Sequence, residues 1–346
     1  MKWERSIDEL ISTNDLMIKK LFLIGNGFDI HHGIPSRYSN YRDWLEENDA
    51  DLMERLRNYF DVDDKDWWNQ FELELGHPDM ADYIDETAFE NEPDYGSDDF
   101  RDRDYHAGEF AAEDEIGSLV ADIKGTFTDW IGSLPAPNSG KKVKLDKDDA
   151  FFINFNYTDT LQNLYNIKPA DILFIHGNVG NGTELILGHN RPYEELDAEF
   201  APDIPTPPDD LDDEELAEWY DEMADSGEDY IHQSVRGEVV SQIHKLRKNT
   251  ESIIKENKTS FDALKDVEAV YIYGLSFSPV DEPYLDEVIT KVNKDTAKWT
   301  VSYYSDADKE NAEAFFKKKG IKEELVNYVK LDDILLVKQG ELEFKE

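Results

Sequence analysis

Seven short apolar runs, at residues 21–24, 151–155, 172–175, 184–187, 269–273, 299–304 and 334–337, are bounded by Gly, Asn or Asp and separated by stretches of helical pattern. Most are apolar on both faces instead of alternating, as parallel strands covered by helices on both sides should be. Helical periodicity falls at 38–47, 52–60, 67–75, 110–131, 158–165, 212–223, 232–255, 283–291, 307–318 and 322–328, and Asp159 and Gln162 have the spacing of a capping box. This alternation predicts one α/β domain over residues 1–346. The expected sheet is doubly wound, Rossmann-like and mostly parallel, with any ligand lying outside the carboxyl ends of its strands.

Charge marks what interrupts that domain. Residues 79–116 hold 15 acidic and 2 basic side chains, and residues 193–229 hold 17 acidic and none basic. Together they supply −30 of the net charge of −43. We read two acidic, mainly helical insertions, at about 50–135 and about 191–260. Pro202, Pro205, Pro207 and Pro208 break any helix in the second. Such acidity argues against a nucleic-acid backbone or an anionic membrane as partner. It leaves open a protein partner docking on the insertions, and self-association. The absence of cysteine excludes disulfides, a thiol nucleophile and cysteine-ligated zinc. No apolar run approaches the roughly 18 residues that span a bilayer, and the first residues lack a signal-peptide pattern. A cytoplasmic protein is expected.

The strand ends hold the chemistry. The first run leads into Gly25, Asn26, Gly27, Phe28 and Asp29, followed by Gly33 and Pro35. Two glycines one residue apart let a backbone turn tightly and approach a pyrophosphate. The dehydrogenase fingerprint wants its third glycine at position 30, where Ile30 stands. The second run ends in Asn154 and Asn156, which alternation puts on one side of the strand; the alternative for Asn156 is a helix cap or turn. The third ends in His176-Gly177, a general-base candidate. His189 repeats that pattern more weakly. The fifth ends in Gly274, Leu275 and Ser276, with Asp281 before a helix, a small-residue loop suited to ribose or adenine. Trp67, Trp68 and Glu72 read as core and cap. Lys245, Arg247 and Lys248 read as a basic patch paired with local acid.

GNGFDIHHGIPSRYSNY, NFNYTDTLQNLY, FIHGN, LILGHN and YIYGLSFSPVD, in this order, resemble the AbiH proteins of bacterial abortive infection against phage. These motifs are in turn similar to those of the sirtuin-like NAD-binding fold, where G-A-G is followed by G-I-P eight residues after the first glycine. Gly25, Gly27, Gly33, Ile34 and Pro35 keep that spacing. On this resemblance the N-x-D motif falls on Asn156-Tyr157-Thr158, the catalytic His-Gly on His176-Gly177, and G-x-S on Gly274-Leu275-Ser276. Three positions depart from it: Asn26 replaces a small residue, Asp29 stands where Ser is usual, and Thr158 stands where Asp is usual.

The resemblance implies NAD as ligand and hydrolysis of its nicotinamide–ribose bond. Asn156 and His176 would be catalytic. Gly25, Asn26, Gly27, Phe28, Asp29, Gly33, Pro35, Asn154, Gly274, Ser276 and Asp281 would bind the nucleotide, and no metal would be needed. A zinc-dependent deacetylase is excluded with the cysteines. A module that binds NAD, ADP-ribose or another nucleotide without cleaving it is the alternative. A metal-dependent hydrolase using His31, His32, His176 and His189 is weaker, because adjacent histidines usually diverge. A nucleic-acid-mimicking decoy rests on charge alone.

Overall fold

The computed structural model describes residues 18–94, 96, 98, 100–201, 212, 216, 217, 219 and 230–336. It divides into two compact units, one of Met1–Glu47, Thr126–Leu187 and Lys248–Glu346, the other of Asn48–Gly125 and Gly188–Arg247.

The first unit holds a six-stranded sheet: β1 (Lys20–Ile24), β2 (Ala150–Asn154), β3 (Ile172–Phe174), β4 (Ala269–Tyr273), β5 (Lys298–Ser302) and β6 (Val326–Val329). Every pairing is parallel and the order is β3-β2-β1-β4-β5-β6. This is the doubly wound order, whose direction of winding reverses between β1 and β4. Side chains on each strand alternate between two cores. Leu21, Leu23, Phe151, Ile153, Val270 and Ile272 fill one face; Phe22, Ile24, Phe152 and Tyr273 fill the other. Phe22 is in register with Phe152 and Tyr271, and the three rings stack at 4.8 and 4.5 Å. That aromatic ladder pins the registers of β1 against both neighbours.

Four expectations are corrected. Residues 184–187 form no strand; Ile186 instead makes single bonds, its N–H donating to the His176 carbonyl and its carbonyl accepting from the Tyr157 hydroxyl. The last strand is β6, from a stretch that reads as helix, because pairing with β5 overrides the charged helical spacing around it. Ile334 ends a 3₁₀ turn, and Leu335 makes an isolated antiparallel bridge with Val143; Val337 lies outside the described residues. Asp159 precedes the helix Thr160–Tyr165 without a side-chain capping bond.

The second unit is helical among its described residues, with Ala50–Tyr59, Lys65–Asn69, Phe71–Glu74, Ala81–Glu90, Tyr193–Phe200 and Tyr230–His244. Asp49 caps the first by accepting from Leu52 N–H at 3.0 Å. Trp67, Trp68 and Phe71 are buried together, with Trp68 stacked on Phe71 and its indole N–H donating to the Val62 carbonyl. Arg236 pairs with Asp197, and Arg191 with Glu199. The expected helix at 212–223 lies mostly outside the described residues, and the one at 232–255 stops at His244. No described helix is long and apolar enough to cross a membrane.

Candidate functional site

Ile24 and Tyr273 are register partners, so Gly25 and Gly274 leave the sheet side by side at the reversal point. Their loops close on each other. Gly25 N–H donates to the Tyr273 carbonyl at 2.9 Å, and Gly27 N–H to the Gly274 carbonyl at 2.8 Å. A Cβ on Gly25 would lie 2.6 Å from the Gly274 oxygen, and one on Gly274, where φ is +71°, would collide with the backbone of Gly27 and Phe28. The expectation that the Gly25 and Gly27 N–H groups face a pyrophosphate is therefore corrected. Those donors are engaged, and glycine is required here for backbone-to-backbone packing.

What reads as a glycine turn continues as a short helix, Asn26–His31. Gly33, with φ +79°, terminates it: Gly33 N–H bonds the Ile30 carbonyl and Ile34 N–H the Asp29 carbonyl. This is a Schellman ending, so the late glycine is a helix stop. Pro35 follows, exposed. Phe28 faces the core, packed on His32 and Tyr165. Asn26 exchanges two hydrogen bonds with Ser36.

Asp29 lies on that helix, 1% exposed. Its Oδ2 accepts from Thr158 Oγ1 at 2.5 Å, while Oδ1 is buried without a hydrogen bond. Burial pushes its carboxyl up to about 6, against the opposing pull of Thr158, Thr160 and Asn156. Asn156 donates its amide Nδ2 to the Gly25 carbonyl at 3.1 Å, and its N–H bonds Asn154 Oδ1 at 3.2 Å.

His176 follows β3 and is 1% exposed. Gly177, φ +83°, leaves no room for a Cβ beside the Glu184 carbonyl, which fixes the turn. The rings of Phe155, Tyr157 and Tyr284 surround the imidazole at 5.6, 6.2 and 5.4 Å. Nδ1 lies 3.5 Å from Lys248 Nζ, and Nε2 lies 3.7 Å from Asp281 Oδ1. Lys248 Nζ and Asp281 Oδ1 are 3.9 Å apart. Burial, then the Lys248 charge, hold the imidazole well below its ordinary pKa, against a smaller upward pull from the Phe155 carbonyl. It is neutral at pH 7.

The other buried histidines are satisfied. His32 Nδ1 faces the Phe28 carbonyl at 2.6 Å, so it holds the proton, and Nε2 accepts from the Tyr165 hydroxyl at 2.6 Å. In the second unit, His189 Nε2 donates to the Ile243 carbonyl and Nδ1 accepts from Arg191 N–H. Among the described residues, His176 is the histidine with a buried ring nitrogen that makes no hydrogen bond.

Gly25, Gly27, Gly274, Asp29 and Asn156 thus form one linked group with Thr158; His176 and Asp281 form another with Lys248. The segment Phe155-Asn156-Tyr157 faces both, its rings toward His176 and its amide toward Gly25. Ser276 is exposed and joins neither by a side-chain bond. Lys248 is the site residue that sequence reasoning missed. It sits in a basic cluster that reads as surface, yet it is 1% exposed. Among the described residues, no group of three or more His, Asp and Glu is placed to hold a metal ion.

No curated protein and no solved structure matches the chain. The family model described as bacteriophage abortive infection AbiH matches residues 21–303, from β1 to just beyond β5, and the chain belongs to that family.

Proposed function

We propose that this AbiH-family chain binds NAD at the carboxyl edge of its sheet and hydrolyses the nicotinamide–ribose bond. The observation that supports this reading best is His176. A neutral imidazole with an unbonded Nε2, beside a carboxylate, forgoes about 1–3 kcal/mol that a hydrogen-bonded partner there would return. In hydrolysis, a water oxygen forms a bond to the anomeric carbon of the ribose as the carbon–nitrogen bond breaks. The bonding pair leaves with the pyridinium nitrogen, giving neutral nicotinamide, and the water proton passes to the His176–Asp281 pair. Proton handling of this kind contributes about 10²–10⁴-fold. Asn156, its Nδ2 held by Gly25, keeps its amide oxygen to orient a water or a ribose hydroxyl. Asp29 Oδ1 suits a ribose hydroxyl, which would supply the donor it lacks.

Incubating purified protein with NAD and following nicotinamide and ADP-ribose by mass spectrometry tests the reading. The expected result is release of both, and its loss in His176→Ala with NAD binding largely kept. NAD bound but unconsumed by the unaltered protein would overturn hydrolysis in favour of a nucleotide-binding module. Undiminished release from His176→Ala would remove that residue from the chemistry.

A further inference from the structure

We propose that Lys248 is a positioning residue that decides which nitrogen of His176 holds the ring proton, so that a ligand meets His176 as hydrogen-bond donor and Asp281 as acceptor. An ammonium can only donate. With Lys248 Nζ 3.5 Å from His176 Nδ1, that nitrogen presents its lone pair. A neutral imidazole has a single ring proton, and this one is neutral. The proton is therefore on Nε2, the nitrogen facing Asp281 Oδ1.

One group competes. The Phe155 carbonyl accepts hydrogen bonds and draws the ring proton toward whichever nitrogen faces it. A charge-assisted contact is roughly twice as strong as a neutral one, which favours the ammonium. The rings of Phe155, Tyr157 and Tyr284 supply no charge.

The separation of 3.7 Å between Nε2 and Oδ1 is too long for a direct hydrogen bond. A hydroxyl or a water that accepts from Nε2 and donates to Oδ1 bridges the two groups. The tautomer rests on the Lys248 contact together with a ring that burial holds neutral. Its catalytic use rests on the hydrolytic reading above, and there it reverses the role expected of the histidine: Asp281 takes the water proton while Nε2–H holds the water oxygen in place.

Nitrogen-15 NMR of the full chain labelled at histidine reads the tautomer directly, because a protonated ring nitrogen resonates well upfield of an unprotonated one. The expected result is a protonated Nε2 and an unprotonated Nδ1 for His176 at pH 7. Lys248→Met should shift the ring toward Nδ1–H, and Lys248→Arg, which retains a donor-only cation, should keep Nε2–H. Protonated Nδ1 in the unaltered protein overturns the proposal whatever the variants do. So does an unchanged tautomer in folded Lys248→Met. Nε2–H in a protein that leaves NAD intact upholds the tautomer and sinks the hydrolytic reading alone.

Discussion

Thr158, just beyond β2, donates its hydroxyl to Asp29, on the helix after β1, across 2.5 Å. On the sirtuin-like resemblance drawn from the sequence alone, position 29 would usually hold a hydroxyl residue and position 158 a carboxylate. Here the two are exchanged. Two departures that look independent in the sequence meet here in one hydroxyl–carboxylate pair, with the carboxylate on the glycine-turn side.

Burial makes Asp29 costly at neutral pH. Its folded pKa, about 6, lies above the ordinary 3.8, so between those values the folded state binds more protons than the unfolded state. Stability from this group is therefore gained as pH falls through 6 and lost as pH rises. Asp29→Asn removes the penalty and keeps an oxygen for Thr158. It should raise stability at pH 7 by up to about 3 kcal/mol, with the advantage shrinking toward pH 4. Urea midpoints of both proteins at the two pH values check this; an equal gap at both would show that Asp29 is not the source.

Thr158→Val keeps the shape of the side chain and deletes its hydroxyl. It leaves Asp29 Oδ2 without that donor and should cost about 1–3 kcal/mol, whereas Thr158→Ser should cost far less. Thermal unfolding of the pair separates the hydroxyl from the packing. On the proposed function, the valine variant should also bind NAD more weakly, read by titration calorimetry.

Much of the sheet is legible because β1, β2 and β4 are apolar on both faces, a pattern that solvent-facing elements cannot adopt. The rest depends on tertiary context. Val326–Val329 is a strand only because β5 offers it a ladder. Asn26–His31 reads as a turn because glycine at 25, 27 and 33 looks alike on paper, although two of these glycines serve close packing and the third ends a helix. Lys248 is hidden for a similar reason. Lysine is almost never fully buried, and only the fold shows that an imidazole and a carboxylate receive it.

The close approach of the β1 and β4 loops gives a graded test. Gly182 has φ +66° with open space around it, so Gly182→Ala should cost only the left-handed backbone strain, about 1–2 kcal/mol. Gly274→Ala adds a collision with the backbone of Gly27 and Phe28, and should cost on the order of 3 kcal/mol or more. Chemical denaturation ranks the two; equal costs would mean that the loops do not close on each other.

Buried histidines should make the fold sensitive to acid. Burial holds His32 and His189 at about 4, below the ordinary 6.5, and His176 is held down as well. A lowered folded pKa means that the unfolded chain binds more protons between 4 and 6.5, so stability falls as pH drops through that window. The sign is opposite to that of Asp29, and three imidazoles face one carboxyl. Each of His32 and His189 contributes up to about 3 kcal/mol, so the net change from pH 7 to 4.5 should be destabilising. Imidazole proton signals followed by NMR should leave His32 and His189 untitrated above about pH 5. A midpoint near 6.5 for His32 would mean that its bonds to Phe28 and Tyr165 do not hold the ring neutral in solution.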